Sequence, residues 1–344
     1  MTALVGILLA LLFILGVPVG FALIICVVPY FALESSIPMQ VVIQRFIAST
    51  ESVSLLAIPF FIAAGSIMNY SGITAKLMNL ADLLVGHIPG GLGHVNILLS
   101  TMMGGLSGSC AADAAQETKI LVPEMIKKGY DKPFCAAVTA ASSLITPIIP
   151  PGIGLVVYAY CTDTSVGKMF ASGYLPGFLM CAAMMLLVRH LAKKRNYPCQ
   201  RGHIAPAGQI WRCFLDSLWA LGLPVLLIVG LRFGIFSATE GGAICALYSL
   251  IVGKFVYKQI KKEHFIPILK DAVLSSCTVM LVMCAANIFS YFLSWESIPQ
   301  SIGNFLAATV SNKYLFLLMV VALFLIIGMF MDGTAAMIVI APIF

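Results

Sequence analysis

An all-α membrane protein with several spans is the fold class the sequence predicts, and three observations carry that prediction. Of the 344 residues, 60% are hydrophobic and only 10% are charged, where a soluble domain carries about a quarter charged residues. Mean hydropathy is +1.02. Apolar runs of about eighteen residues or more, the length that crosses a bilayer, occur at roughly 3–31, 134–160, 172–191, 214–231, 235–253 and 315–344. A soluble enzyme is excluded by this composition.

The first run has no basic leader, since the first basic residue is Arg45, so it is expected to stay as a helix rather than be cleaved as a signal. The 10 cysteines are scattered singly, mostly in apolar segments, with no CxxC pair, and read as buried free thiols. The 5 histidines are scattered as well, and none pairs with a cysteine or carboxylate at ligand spacing. No catalytic residue is assigned.

A net charge of +6 does not point to nucleic acid, because the basic residues gather in loops beside the spans. One cluster is Lys127, Lys128 and Lys132; a second is Arg189, Lys193, Lys194, Arg195, Arg201 and Arg212; a third is Lys254, Lys258, Lys261 and Lys262. If 134–160, 172–191, 214–231 and 235–253 each cross once, the three clusters share a side. That puts 13 of the 20 basic residues on one face, which the positive-inside rule makes cytoplasmic.

The chain also reads as two related halves. SVSLLAIPFFIAAGSIMNYSGITAKLMNLADLL (52–84) and SCTVMLVMCAANIFSYFLSWESIPQSIGNFLAA (276–308) each run from small hydroxyl residues through an apolar stretch to a polar-aromatic break and a short amphipathic piece. Such a piece is too short to span and suits the membrane interface. HVNILLSTMMGGLSGSCAADAAQETKILVPEM (94–125) and YLFLLMVVALFLIIGMFMDGTAAMIVIAPIF (314–344) each have an apolar entry, a glycine-rich break with an aspartate, and a later proline. With the loop topology above, the halves enter the membrane from opposite sides, an inverted repeat of the kind common in secondary transporters. The expected division is a first membrane repeat over 1–188, a cytoplasmic basic linker over 189–213 and a second repeat over 214–344. Re-entrant hairpins are expected at about 39–70 and 270–295, broken helices at about 94–124 and 314–344, and a proline-broken span at 134–160. The first half continues into AAVTAASSLITPIIPPGIGLVVYA (136–159), whereas the second stops at Phe344; the sequence is therefore expected to lack a C-terminal segment of about two spans.

The breaks are where chemistry can occur. In GGLSGSCAAD (104–113), Gly104, Gly105 and Gly108 each cost a helix about 1 kcal/mol relative to alanine. Unwound backbone at membrane depth persists only where protein or a water-filled cavity satisfies it. Its carbonyls, with the hydroxyls of Ser107 and Ser109, make an oxygen-rich shell for a hard cation such as Na⁺, and the helix restarting near Ala111 turns N–H groups toward an anion. Close helix packing through small residues is the alternative. Asp113 and Asp332 are the intramembrane carboxylates. Asp332 lies in the second break among Gly328, Gly333 and Thr334 and could ligate a cation itself. Asp113 lies past its break and could cap or orient the unwound loop, or make an interhelical hydrogen bond. The stretches STESVS (49–54) and LSSCT (274–278) could be hairpin tips, with Ser52, Ser54, Ser275, Ser276 and Thr278 facing the breaks, or ordinary helix-packing hydroxyls. LITPIIPPG (144–152) breaks or kinks its span and should face the protein interior.

These stretches together resemble the large membrane subunit of tripartite ATP-independent periplasmic (TRAP) transporters, the DctM family. The resemblance runs through GVPVGFAL (16–23), LLAIPFFIAAGSIMNYSGI (55–73), GGLGHVNILLSTMMGGLSGSCAADAA (90–115), ITPIIPPGI (145–153) and MFMDGTAAMIVIAPIF (329–344). It implies an elevator-type transporter with two hairpins and two broken helices, in the bacterial inner membrane. It implies Na⁺ as coupling ion with no other cofactor, and uptake of organic acids of the C4-dicarboxylate, sugar-acid or sialic-acid type. The implied partners are a small membrane subunit of the DctQ type and a periplasmic substrate-binding protein of the DctP type, with membrane lipid around them. Carried over by position, the cation sites involve Ser52, Ser54, Gly104, Gly105, Ser107 and Gly108 in one half, and Ser275, Ser276, Thr278, Gly328, Asp332 and Gly333 in the other. The substrate falls to Ser107, Ser109, Thr146, Pro150, Pro151 and Thr334, and Asp113 to a structural or coupling role. One departure is PPGI at 150–153, where many members carry PPSI. A stand-alone Na⁺/anion symporter is the nearest alternative. An intramembrane aspartyl protease built on Asp113 and Asp332 is a distant one, as is a channel or scaffold subunit, since the polar residues gather at two breaks rather than along a pore-lining stripe.

Overall fold

The computed structural model describes residues 2–33, 38–51, 56–104, 108, 110–201, 203, 205–298, 301, 312–328 and 333–341. Every regular element among them is helical. Helices at 166–195, 207–231, 238–256 and 262–295 are long and apolar enough to cross a membrane, with shorter apolar helices beside them. The helices are α1 (Thr2–Ile14), α2 (Val19–Leu33), α3 (Met39–Ala48), α4 (Ala57–Tyr70), α5 (Ile73–Val85), α6 (Gly91–Gly104), α7 (Cys110–Ile120), α8 (Val122–Lys127), α9 (Lys132–Ser142), α10 (Ile153–Cys161), α11 (Val166–Arg195), α12 (Ala207–Arg232), α13 (Ala238–Ile251), α14 (Phe265–Trp295), α15 (Lys313–Gly328) and α16 (Gly333–Ile340).

The chain divides into two compact units that interleave in sequence, one from 1–55, 157–164 and 275–344, the other from 56–156 and 165–274. In the first, α2 packs on the C-terminal part of α14. Gly20 lies against Leu281 and Val282, and Tyr30 and Phe31 meet Phe292 and Tyr291 ring to ring. The Arg45 guanidinium sits over the Tyr291 ring at 5.0 Å, and Asn287 Nδ2 donates to the Arg45 carbonyl at 2.7 Å.

In the second unit, α13 lies against α4, with Gly242 brought close to Phe60 and the Ala57 carbonyl. The Ser237–Glu240 capping box starts α13. Helix α5 packs on α6 and α12, burying Ile73, Leu77, Leu80 and Ala81. Its polar edge fastens loops from far along the chain. Asp82 pairs with Arg201 at 2.8 Å, Lys76 with Asp216 at 3.6 Å, and Gly72 lies against Gln259. Loop 127–132 joins the same layer. Asp131 pairs with Arg195 at 3.1 Å and accepts from Tyr197 at 2.6 Å, and the Tyr130 hydroxyl donates to the Pro198 carbonyl at 3.0 Å. Segments of the second and third basic clusters therefore meet at α5, and the first is fastened to the second.

Two expectations are corrected. The hydroxyl stretch at 274–278 is not the tip of a hairpin: Ser275, Ser276 and Thr278 lie inside α14, which runs unbroken from Phe265 to Trp295. The reason is compositional, since no glycine and no proline occurs after Pro267 in that helix, and Ser and Thr can bond back to their own helix carbonyls. The segment 189–213 is less of a linker than expected, because α11 extends to Arg195 and α12 begins at Ala207. The tip of the hairpin expected at 39–70, residues 52–55, lies outside the described residues.

Candidate functional site: two chain breaks and a buried polar core

Helix α6 stops at Gly104 and α7 starts at Cys110, because the glycines between withhold helix propensity. Helix α9 stops at Ser142 and α10 starts at Ile153, because Pro147, Pro150 and Pro151 remove backbone donors in the segment between. The two breaks touch backbone to backbone. Gly108 has φ +59, and a Cβ there would lie 2.9 Å from the Pro151 carbonyl oxygen and 3.1 Å from the Ile153 nitrogen. Only glycine adopts that left-handed conformation freely and admits so close a neighbour. Gly152, at the position where the resembling family often carries serine, is tighter still, since its Cβ would fall 2.0 Å from the Pro147 carbonyl oxygen. On the other side, Gly173 and Gly177 of α11 accept Ile148 and Ile149, the small-residue contact by which membrane helices approach.

This contact brings the start of α10 against Gly108, two residues before the start of α7. Each of these helix starts has N–H groups without intrahelical partners and the positive end of a helix dipole.

Behind the breaks lies a polar core. Asp113 and Glu117, four residues apart on one face of α7, are each only 1% exposed. Thr146 Oγ1 donates to Asp113 Oδ2 at 2.7 Å. Ser100 Oγ donates to Glu117 Oε1 at 2.7 Å, and Ser142 Oγ lies 3.3 Å from Glu117 Oε2. Ser142 also donates to Asn96 Oδ1 at 2.6 Å, and Asn96 Nδ2 donates to Thr139 Oγ1 at 3.0 Å. Next to this core, Gln116 Nε2 donates to Thr74 Oγ1 at 2.9 Å, joining α7 to α5. Asp113 Oδ1 is buried without a hydrogen-bond partner among the described residues.

Of the residues expected at the site, Gly104, Gly108, Thr146, Pro150 and Pro151 come together here, all buried. Thr146 is turned into the polar core toward Asp113. Ser275, Ser276 and Thr278 are elsewhere, within α14. Gly328 ends α15 and Gly333 starts α16, each with open space where a side chain would be. Ser52, Ser54, Gly105, Ser107, Ser109 and Asp332 lie outside the described residues, as does the side chain of Thr334. Among the described residues no group of three His, Cys, Asp or Glu could hold a metal, so a cation near Gly108 would draw on carbonyl and hydroxyl oxygens. The sequence reading missed Asn96, Ser100, Glu117, Thr139 and Ser142. A signal for them existed in the polar residues recurring at helical spacing, 96 and 100, 113 and 117, 139 and 142, in otherwise apolar segments.

The sequence model of the family described as "Tripartite ATP-independent periplasmic transporter, DctM component" matches residues 5–344. The chain is 35% identical to the sialic acid TRAP transporter permease SiaT of Haemophilus influenzae over 95% of its length, and spans about half, 53%, of that relative. It is 34% identical to the large permease SiaM of Vibrio cholerae, covering 95% of this chain and 76% of the relative. Against the 2,3-diketo-L-gulonate large permease YiaN of Escherichia coli the identity is 34%, over 96% of this chain and 77% of the relative. The apolar helices and this kinship make it a multi-pass protein of the bacterial inner membrane, and a family of permeases sets the protease reading aside. A match along nearly the whole chain, joined to helices broken at the glycine and proline clusters, leads to one assignment: the chain belongs to the DctM family, the large permease component of TRAP transporters.

Proposed function

We propose that this chain is the large membrane subunit of a Na⁺-coupled, binding-protein-dependent importer of organic acids. It works with a small membrane subunit and a periplasmic substrate-binding protein and moves its cargo by elevator-type alternating access. Relatives named for sialic acid, diketogulonate and C4-dicarboxylate transport support an organic acid as cargo.

The observation that carries the reading is the approach of Gly108 to residues 151–153. It brings the start of α10 close to the residue two places ahead of α7, and helix N-termini near one break favour a carboxylate. The glycines and hydroxyl residues of the sequence stretch 104–109, with Asp332, supply Na⁺ sites whose charge offsets that of the substrate. Na⁺ drives the cycle only to the extent that it binds one conformational state better than the other.

The test is uptake of radiolabelled organic acids into proteoliposomes holding the full-length permease with its small subunit, with and without binding protein and an inward Na⁺ gradient. Uptake that requires both is the expected result. Uptake without the binding protein would make it a stand-alone symporter, and uptake indifferent to Na⁺ would refute the coupling.

A further inference from the structure

We propose that Asp113 and Glu117 form a buried proton-binding site, with Glu117 carrying the proton in the described conformation, so that H⁺ acts on the transport cycle beside any other coupling ion.

Helix α7 packs against α6, α8 and α9. Helix α6 presents Asn96 and Ser100 to it, and α9 and the segment after it present Thr139, Ser142 and Thr146. The charged residues of α8, Glu124 and Lys127, are exposed, as is Lys119 at the end of α7. His94 lies two residues before Asn96 and so on the opposite side of α6, where the charged group acting on it is Arg189. Among the described residues, Asp113 is the charged group that acts on Glu117. The ion pairs among the described residues are Lys76–Asp216, Arg195–Asp131 and Arg201–Asp82, all elsewhere. Two carboxylates 1% exposed with no opposite charge cannot both stay ionised at little cost.

Two further observations locate the proton. Among the described residues, Asp113 Oδ1 is enclosed and accepts no hydrogen bond. At Glu117, the one hydrogen of Ser142 Oγ has three acceptors in reach, Asn96 Oδ1 at 2.6 Å, the Thr139 carbonyl at 3.1 Å and Glu117 Oε2 at 3.3 Å, and the two shorter contacts are the stronger. With that hydrogen on either nearer acceptor, the 3.3 Å contact between Ser142 Oγ and Glu117 Oε2 is a hydrogen bond when Glu117 supplies the hydrogen. With Glu117 protonated, Ser100 donates to Oε1, Oε2–H donates to Ser142, and Ser142 donates to Asn96, so each oxygen of that relay has a role. The step itself is the uptake of one proton from water by the Glu117 carboxylate, and its release restores the anion.

The presence of the proton is independent of the transport reading; its part in coupling rests on that reading. The experiment therefore has two arms on the purified permease with its small subunit. Infrared spectroscopy in lipid reads the C=O stretch of a protonated carboxylic acid without any transport. The wild type shows that band, Glu117→Gln shifts or removes it, and the double variant D113N/E117Q lacks it. A wild type without the band, a band unchanged in the double variant, or a carboxylate signal that responds to Na⁺ and not to pH would overturn the proposal. In the second arm, uptake at a fixed Na⁺ gradient is measured from acid to alkaline pH. The wild type varies with pH, and in E117Q the ratio of acid to alkaline rates collapses toward one for whatever uptake remains. A ratio in E117Q equal to that of the wild type would remove the coupling role. If neither the wild type nor any variant transports anything, the band still decides whether the proton is there, and only the proposed function falls.

Discussion

Replacing Gly108 by alanine tests the meeting of the two breaks most directly. A left-handed backbone costs a non-glycine residue about 1–2 kcal/mol. The added methyl would also stand 2.9 Å from the Pro151 carbonyl oxygen and 3.1 Å from the Ile153 nitrogen. Both are backbone atoms and cannot swing aside, so overpacking adds about 1–3 kcal/mol. Gly129 supplies the control, because it has φ +88 with nothing within 4 Å of a Cβ. Gly129→Ala should lose only the backbone part, and Gly108→Ala that part plus the steric one. The assay is thermal unfolding of the purified complex, followed by retention of a monodisperse chromatographic peak, with uptake measured on what remains folded. Equal losses at the two positions would show that the breaks do not press on each other and would remove the helix N-termini near the break from the functional reading.

Other consequences can be checked in the same preparation. Gly152→Ser should lower thermal stability by about 1–3 kcal/mol or more, since its Cβ falls 2.0 Å from the Pro147 carbonyl oxygen; a variant that melts like the wild type would mean a looser turn. Thr146→Val removes the donor to Asp113 Oδ2 and should cost about 1–3 kcal/mol, with Thr146→Ser restoring most of it. A change in substrate KM without loss of stability would return Thr146 to the substrate instead. Ser237→Ala deletes the cap of α13 and should cost about 1 kcal/mol without changing Na⁺ dependence; a changed Na⁺ dependence at unchanged stability would count against a purely local role.

Class and family were readable because their signals are local. Long apolar runs announce spans, and the motifs around 104–115 and 145–153 are contiguous. The glycines after Met103 and the prolines after Thr146 act on the backbone where they stand, so the places where α6 and α9 stop follow from a few neighbouring residues. The polar core was harder to see because it is assembled from three helices. Glu117 sits in AAQETKI, which looks like an ordinary wetted helix end until Ser100 and Ser142 are brought against it. LSSCT misled for the opposite reason. Hydroxyls attract attention in an apolar run, yet with no glycine or proline beside them nothing there interrupts a helix.

The position of α5 has a consequence for how the protein is made. Its anchors arrive late, since Arg201 follows Asp82 by 119 residues and Ser217 follows Lys76 by 141. At ribosomal rates of 5–20 residues per second that delay is roughly 6–28 s. Throughout it, Leu77 and Leu80 have only the neighbouring early helices and the bilayer surface to lie against. The second unit, which runs to residue 274, therefore closes late in synthesis, and a ribosome stalled before residue 201 would leave an amphipathic helix in the membrane with its polar edge untied.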